Sequence, residues 1–322
     1  MSKNVLDQEK RDFGKSLSMA NIQLIEEESM KLKESLDQKR FVVTSEVQPP
    51  IGEEPQEIIK KLELVRGRLD GLTVPELEIE GVVADTIKTC ELLKQNRFDA
   101  IYQTATREKN RLQIQKDLLR AHETGVENLL VFTEDYRITG DSLQEMMFFH
   151  VDAGKLSSVL DHLREGHSVD GKELPFKAEF TFGSGVESKW GKNVPELEMK
   201  EMEELTKKGT GYFLTTPIFD VGLFEKFMKQ VNTFGVPVIA EVMILRTAGM
   251  GQFLNRHLKS GLVPDWIIRK LAKAPDRQKA SIEIFAEIVS GLKDLCQGVH
   301  IITVGAEDKL RYYLDAAKLK KI

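Results

Sequence analysis

The stretch Phe41-Val-Val-Thr-Ser-Glu-Val-Gln-Pro-Pro-Ile-Gly52 joins an apolar, β-branched run to one carboxylate and a turn with two prolines. Residues 41–47 are predicted to form a buried strand, because β-branched residues favour strands and proline ends them. Glu46 would then lie near the carboxyl end of the strand. Ligands bind at the carboxyl ends of strands in βα proteins, so Glu46 is a candidate catalytic residue. The alternative is a carboxylate that caps a helix or pairs with a surface lysine.

Beyond this strand, short β-rich runs alternate with longer amphipathic runs, a pattern typical of a parallel sheet with crossover helices. The predicted strands cover residues 41–47, 70–74, 99–104, 128–133, 176–182, 211–216, 236–242 and 298–303. Eight such strands are the number that a closed (β/α)8 barrel needs. An open dinucleotide-binding sheet would require a glycine-rich turn after its first strand, where this chain has Pro49-Pro50-Ile51-Gly52. We therefore predict an α/β fold, a single (β/α)8 TIM-type barrel.

The helices are predicted between these strands, and the N-terminal region is predicted to be an extension of the barrel. Apolar residues in the range 19–39 recur on one side of a helix, so we expect residues 1–40 to form a helical extension and residues 41–322 to form the barrel. The other predicted helices cover residues 55–66, 82–95, 111–124, 153–164, 195–208, 221–232, 249–258, 264–272, 276–295 and 307–318.

The composition argues against a nucleic-acid-binding protein, a protein built on metal sites or disulfides, and a membrane protein. The chain has 322 residues, a formal net charge of -5 and no block rich in lysine or arginine, so nucleic acid is not expected as a partner. Its two cysteines, Cys90 and Cys296, lie far apart, which argues against a structural zinc site, an iron–sulfur cluster or a disulfide framework. No apolar run approaches the ~20 residues of a membrane span, and no signal peptide is apparent. We expect a cytoplasmic protein without a metal site or a membrane partner.

The predicted strand ends bring polar residues to one mouth of the barrel. They include Glu46 and Gln48 after the first strand, Glu76 after the second, Gln103, Thr106 and Arg107 after the third, Thr133, Glu134 and Asp135 after the fourth, Thr215 and Thr216 after the sixth, and Glu241 after the seventh. Such a polar and acidic set suits a ligand with many hydrogen-bond donors, such as an aminopyrimidine ring. A carboxyl group near an apolar pocket can have a raised pKa, which suits a general acid.

Several motifs in this order resemble those of the methylenetetrahydrofolate reductases. The first is Thr44-Ser-Glu-Val-Gln-Pro-Pro-Ile-Gly52. It is followed by Thr106-Arg-Glu-Lys-Asn-Arg111, by Asn128-Leu-Leu-Val-Phe-Thr-Glu-Asp-Tyr-Arg-Ile-Thr-Gly-Asp141, by Phe148-Phe-His-Val-Asp152, by Leu214-Thr-Thr-Pro-Ile-Phe-Asp220, and by Phe253-Leu-Asn-Arg with Gly261-Leu-Val-Pro264. One match would be weak, but their common order from Phe41 to about Asp315 favours this family.

The resemblance implies a reductase that converts 5,10-methylenetetrahydrofolate to 5-methyltetrahydrofolate by hydride transfer in one-carbon metabolism. Glu46 stands at the position of the family's general acid, and Asp135 at that of the aspartate beside the flavin and the pterin. The resemblance further implies substrate contacts from Gln48, Asp135, Thr216, Met250 and Leu254. It implies a flavin, FAD or FMN, contacted by Gln103, Arg107, Asn110, Thr133, Phe149 and Asp152. NAD(P)H is one candidate electron donor, with the choice of donor left open, and a homo-oligomer or a hetero-complex is the expected assembly.

Three positions differ from the family pattern. Thr216 replaces a glutamine that grips the folate, Glu134 replaces a glycine near the flavin ring, and Pro75 replaces a residue that is usually threonine. If these differences abolish the flavin site, a nicotinamide would supply the hydride directly. The alternative function is a non-redox member of the family, which binds a folate or pterin as a methyl-transfer enzyme or as a subunit of a one-carbon complex.

Four histidines show no metal-ligand spacing. His150, His167, His257 and His300 lie in different predicted elements. We therefore interpret each as a surface or packing residue and not as a metal ligand.

Overall fold

The computed structural model describes residues 31–50, 54–79, 82–105, 109–132, 153–189, 192–257 and 262–319. Eight strands form the main sheet: β1 Val42–Glu46, β2 Gly71–Val74, β3 Ala100–Ala105, β4 Asn128–Phe132, β5 Thr181–Val186, β6 Tyr212–Thr215, β7 Val238–Met243 and β8 Gly298–Ile302. They are parallel, pair in the order β1-β8-β7-β6-β5-β4-β3-β2 and close into a barrel, which confirms the predicted (β/α)8 fold.

The helices of the described ranges precede, connect and follow these strands. They are α1 Leu32–Asp37, α2 Pro55–Glu63, α3 Thr86–Gln95, α4 Arg111–Glu123, α5 Ala153–Glu165, α6 Glu196–Lys207, α7 Val221–Val231, α8 Ala248–His257, α9 Asp265–Lys273, α10 Arg277–Leu292 and α11 Leu310–Ala316. Short 3-10 helices cover Asn232–Phe234 and Glu307–Lys309, and a two-stranded ribbon pairs Glu78–Ile79 with Val82–Val83.

Side chains that alternate between the two faces of each strand pack in two separate buried regions. For example, Val43 of β1 and Val47, which directly follows it, pack in the large core between the strands and the helices, whereas Val42 belongs to a second, smaller cluster. Because successive side chains of a strand point to opposite faces, the smaller cluster fills the interior of the barrel. This alternation decides which polar residues also face the interior.

The amino-terminal half of the barrel interior is apolar. Leu32 and Leu36 of α1 pack there against residues from five strands. We call the following set the lower interior cluster: Leu32, Leu36, Val42, Ile101, Leu130, Tyr212, Leu214 and Ile239. The residues that hold α1 in place are acidic, since Asp99 accepts a hydrogen bond from the backbone N–H of Leu32 at 3.0 Å and Asp70 accepts one from Ser35 Oγ at 2.7 Å. Helix α1 therefore covers one end of the barrel.

The fifth strand differs from its prediction. It covers Thr181–Val186 and not residues 176–182, so the prediction was wrong in position. Gly183 lies in the middle of this strand because a Cβ there would approach the ring of Tyr212 within 2.2 Å. A large ring inside the barrel thus requires glycine at position 183.

Two predicted helices also begin later than expected. The range 82–95 opens with the second strand of the ribbon, and α3 starts at Thr86 because the Asp85 side chain accepts a hydrogen bond from the backbone N–H of Lys88 at 3.0 Å. The range 307–318 opens with a 3-10 turn, so α11 starts at Leu310. The predicted N-terminal helix of residues 19–39 falls mostly outside the described residues.

Candidate active site

Glu46 is the last residue of β1, at the carboxyl end of the barrel. By alternation its side chain shares the interior face with Val42. Its partner on β2 is Thr73, and the next position on β8 after the Ser45–Ile301 pair is Ile302. Glu46 is half-buried, and the loss of water around its carboxyl group, together with the negative charge of Glu307, raises its pKa to about 7.

Two residues before Glu46, at the preceding interior position of β1, three polar side chains form a row across adjacent strands. Thr44 pairs with His300 of β8, and His300 pairs with Glu241 of β7. The Thr44 hydroxyl and His300 Nδ1 lie 2.9 Å apart, in hydrogen-bond contact. All three residues are buried, and we refer to Thr44, Glu46, Glu241 and His300 as the polar interior cluster.

The two other titratable members of this cluster are held in their neutral forms. Burial lowers the pKa of His300 to about 3, so its imidazole is uncharged at neutral pH. Burial also raises the pKa of Glu241 well above the usual value, and the charge of Glu46 raises it further. The cluster therefore contains a carboxyl at position 46 that can exchange a proton near neutral pH.

The turn that follows β8 places a third carboxylate near the mouth. Thr303 Oγ1 donates a hydrogen bond to Glu307 Oε1 at 2.7 Å. Between them, Val304 and Gly305 have φ angles of 49° and 75°, in the left-handed region. This conformation is unfavourable for a β-branched residue, so the turn at Val304 is strained. The turn positions Glu307 so that its charge acts on Glu46.

Thr216 follows β6 and is engaged by residues that follow β5. Its hydroxyl donates to Glu187 Oε1 at 2.8 Å and accepts from the backbone N–H of Ser188 at 3.3 Å. Glu187 also forms an ion pair with Lys189. Sequence reasoning missed Glu187 and Ser188 because the fifth strand was predicted too early in the chain.

The other predicted substrate residues occupy different environments. Gln48 is half-buried two positions beyond β1. Met250 and Leu254 both lie on α8, where Met250 is half-buried and Leu254 packs in the core between strands and helices. The structure therefore brings Glu46 and Gln48 to one strand end, and it places Leu254 among core residues.

Among the predicted cofactor residues, Gln103 and Asn110 are described. Gln103 shares the interior face of β3 with Ile101 and is half-buried, so its amide is suited to hydrogen-bond a polar ring edge. The Asn110 side chain instead caps α4, where it accepts a hydrogen bond from the backbone N–H of Gln113 at 2.9 Å. Arg107, Thr133, Asp135, Phe149 and Asp152 lie outside the described residues, as do Glu134 and His150.

Glu76 and Glu241 are placed differently from their predictions: Glu76 faces away from the interior, and Glu241 lies inside its strand and not at the strand end. Glu76 follows β2 and contacts the outer face of β3, where it accepts hydrogen bonds from Thr104 Oγ1 at 3.0 Å and from Lys109 Nζ at 2.6 Å. It lines a cavity of about 420 Å³ beside α3 and α4. Glu241 lies in the interior but is the fourth residue of six in β7 and not a strand-end residue. The strand boundary predicted from the sequence was therefore one residue short at this point.

The described ranges contain neither a metal-ligand group nor a membrane-spanning helix. No group of three or more His, Cys, Asp or Glu side chains there is arranged to hold a metal ion. His257 is exposed and His167 half-buried, whereas His300 packs inside the barrel. Across the same part of the chain, no helix has the length and apolar character that crossing a membrane requires.

Solved structures with this architecture are distant in sequence. Tryptophan synthase from M. tuberculosis, in the ligand-free form of a TrpA mutant, is 11% identical with a TM-score of 0.51, and the alignment covers 90% of this chain and 99% of that one. The same enzyme in its open form with BRD0059 bound is 10% identical with a TM-score of 0.53, covering 91% and 100% of the two chains. At such low sequence identity, the structural similarity demonstrates a shared fold and nothing about function.

Sequence comparison identifies the family. A search of curated protein sequences finds no match to this chain. Residues 31–318, however, match the methylenetetrahydrofolate reductase family over nearly the whole chain. This match agrees with the position of Glu46 at the carboxyl end of β1 and supports a folate-related function in one-carbon metabolism. The chain belongs to the methylenetetrahydrofolate reductase family.

Proposed function

We propose that the protein is an oxidoreductase that reduces 5,10-methylenetetrahydrofolate to 5-methyltetrahydrofolate by hydride transfer, with Glu46 as the general acid. The observation that carries the proposal is the environment of Glu46. Glu46 is half-buried on the interior face at the end of β1, and burial together with the charge of Glu307 raises its pKa to about 7. A general acid needs a pKa near the working pH, because it must hold a proton and also release it.

In this proposal Glu46 donates its proton to N10 of the substrate. The bond between N10 and the bridging methylene breaks, its electron pair stays on N10, and an iminium forms at N5. Hydride adds to the iminium carbon and leaves a methyl group on N5. Glu46 is then a carboxylate, which recovers its proton before the next turnover. Asp135 is proposed, on its motif, to bind the donors of the pterin by charge-assisted hydrogen bonds.

The family is generally flavin-dependent, and a flavin would supply the hydride when bound. Gln103 fits such a ring, because its amide lies on the interior face of β3 near the mouth. Asn110 fits less well, since its side-chain oxygen already caps α4. Arg107, Thr133, Phe149 and Asp152 remain proposed contacts on the basis of their motifs.

A second candidate is a non-redox family member that binds a folate or pterin as a methyl-transfer enzyme or as a subunit of a one-carbon complex. Thr216 favours it, because a short hydroxyl replaces the expected glutamine and is already bonded to Glu187. The absorbance of the purified protein separates the candidates. Flavin bands together with reduction of methylenetetrahydrofolate support the reductase, whereas a colourless protein that binds methyltetrahydrofolate without reducing its precursor supports the second candidate.

The general-acid role is tested with Glu46→Gln. We expect kcat to fall by about 10²- to 10⁴-fold, while the dissociation constant for methyltetrahydrofolate changes by less than about threefold, because the amide keeps the shape but cannot donate a carboxyl proton. Exposed Glu54→Gln is the matched control and should retain full turnover. Full turnover by Glu46→Gln would remove Glu46 from the mechanism.

A further inference from the structure

Glu241 is a buried acid that the proposed mechanism does not use. It lies in the middle of β7 on the interior face, and its exposed fraction is 5%. Alternation fixes this orientation, since Ile239 belongs to the lower interior cluster and Ala240 and Val242 pack in the outer core. A carboxyl group in such a position is costly to keep unless it has a partner or a role.

The geometry brings Glu241 into the range of Glu46. Strands β1 and β7 flank β8 in the barrel. Alternate strands of a (β/α)8 barrel contribute side chains to the same interior layer, and β1 and β7 are related in this way. The register also pairs Glu241 with His300 and His300 with Thr44, so Glu241 faces the interior position of β1 that neighbours Glu46. The negative charge of Glu46 accordingly contributes to the raised pKa of Glu241.

The surroundings of the pair, in the described residues, provide no counter-charge. His300 on β8 lies between the two strands and is neutral, Thr73 on β2 is uncharged, and Glu307 after β8 is acidic. Arg246, after β7, is exposed. Two neighbouring carboxylates without a cation cannot both ionise readily, so the second acid stays protonated when the first loses its proton.

We propose that Glu241 is a positioning residue for Glu46: it stays a neutral carboxylic acid and donates a hydrogen bond to the Glu46 carboxylate once Glu46 has given up its proton. This role rests on the proposed function of Glu46 as the general acid. A protonated acid in an apolar site is a strong donor towards a developing anion. Glu241 would therefore stabilise the charge that proton transfer leaves on Glu46.

Two variants separate donation from packing. Glu241→Gln keeps a donor and the approximate volume, whereas Glu241→Met keeps the volume but has no donor. In full-length protein, the titration of Glu46 is followed by carboxyl ¹³C NMR and assigned with Glu46→Gln. In Glu241→Gln, we expect the titration midpoint of Glu46 to lie within about 0.3 pH units of its value in the wild type. In Glu241→Met, the Glu46 midpoint should rise by about one pH unit, because a hydrogen bond to the anion is lost.

Turnover provides an independent measurement. We expect kcat for methylenetetrahydrofolate to fall about tenfold in Glu241→Met with little change in KM, and to be largely restored in Glu241→Gln. Identical Glu46 titrations in both variants would overturn the inference. If even the wild type reduces no folate, the proposed function fails, while the titrations still decide whether Glu241 donates to Glu46.

A reciprocal measurement covers the case in which Glu241→Met does not fold. In Glu46→Gln the charge that holds the proton on Glu241 is absent, so the titration midpoint of Glu241 should fall by at least about one pH unit. An unchanged midpoint would show that the two groups do not interact and would overturn the inference.

Discussion

The two halves of the barrel interior are built from opposite kinds of residue. Seven of the eight side chains of the lower interior cluster are aliphatic, and the eighth, Tyr212, uses its hydroxyl to donate to the backbone oxygen of Leu129 at 3.3 Å. The polar interior cluster, on the same interior faces of β1, β7 and β8, contains two carboxyl groups, an imidazole and a hydroxyl. On β1, the interior face changes from apolar to polar between two successive interior positions, Val42 and Thr44.

The apolar half of the interior stabilises the fold, whereas the polar half is suited to chemistry. Burying aliphatic side chains contributes favourable free energy, whereas burying Glu46, Glu241 and His300 forces each of them towards its neutral form at a cost. Stability alone would favour apolar residues at those three positions. The polar residues of this half are therefore explained by a functional role and not by their contribution to stability.

The largest expected effect tests the lower half. Leu32 is fully buried under the barrel, so Leu32→Ala should reduce the free energy of unfolding by about 3 kcal/mol. Exposed Leu64→Ala is the matched control and should cost less than about 1 kcal/mol. Urea unfolding measures both values, and the ¹³C titration of Glu46 should not change in Leu32→Ala. Equal losses in the two variants would show that α1 does not contribute to the interior packing.

The polar half of the interior should make the free energy of unfolding depend on pH. The pKa of Glu46 is raised from 4.5 to about 7 on folding, so its contribution is fully present below pH 4.5 and is lost as the pH rises towards 7. His300 acts in the opposite direction, because its pKa is lowered from 6.5 to about 3, and its contribution is present above pH 6.5 and is lost as the pH falls. The two slopes oppose each other between pH 4.5 and 6.5.

Glu46→Gln should therefore change the pH dependence of stability. Between pH 4.5 and 7, its free energy of unfolding relative to the wild type should increase with pH by up to about 1.4 kcal/mol per unit. Urea unfolding at several pH values measures this difference, with exposed Glu54→Gln as the control. A difference that is constant with pH would mean that Glu46 titrates at its ordinary pKa and would remove the physical basis of the acid role.

The first strand and the barrel could be predicted from the sequence, because the alternation of apolar residues and the prolines that end a strand are local signals. The run from Phe41 to Pro50 was enough to place Glu46 at the end of a buried strand, and the structure confirms that strand and the eight-stranded barrel around it. The family resemblance is also confirmed. The roles of Glu46 and Asp135 stay predictions, since neither the fold nor the family match tests them.

The remaining features depend on contacts between distant parts of the chain. The fifth strand was predicted to end before Gly183, and the reason for a glycine inside this strand is the ring of the distant residue Tyr212. Glu241 was counted as a strand-end residue, because a run of apolar residues does not show where pairing stops. Strand alternation could have indicated that His300 and Thr44 face the interior, but their pairing across β1 and β8 is a property of the closed barrel.

The smallest expected effect concerns backbone strain, which also differs between the two ends of the barrel. At the lower end, Lys39 and Arg97 have φ angles of 54° and 61°, but each follows a helix C-cap, where a left-handed residue is common. At the mouth, Val304 has a φ angle of 49° in a turn, and its branched Cβ makes that conformation costly. Strain at this turn is therefore specific to the end that carries Glu307 and Glu46.

Val304→Asn should relieve this strain, because asparagine tolerates the left-handed region better than a β-branched residue does. We expect the free energy of unfolding to rise by about 0.5–1 kcal/mol, and Lys39→Asn, the matched control at the other end, to gain less. Urea unfolding measures both. The Glu46 titration should stay the same if Val304→Asn preserves the Thr303–Glu307 hydrogen bond, since that bond holds the carboxylate that acts on Glu46. A loss of stability in Val304→Asn would show that the valine side chain contributes packing that outweighs its strain, and the contrast between the two ends would then lie in their side chains alone.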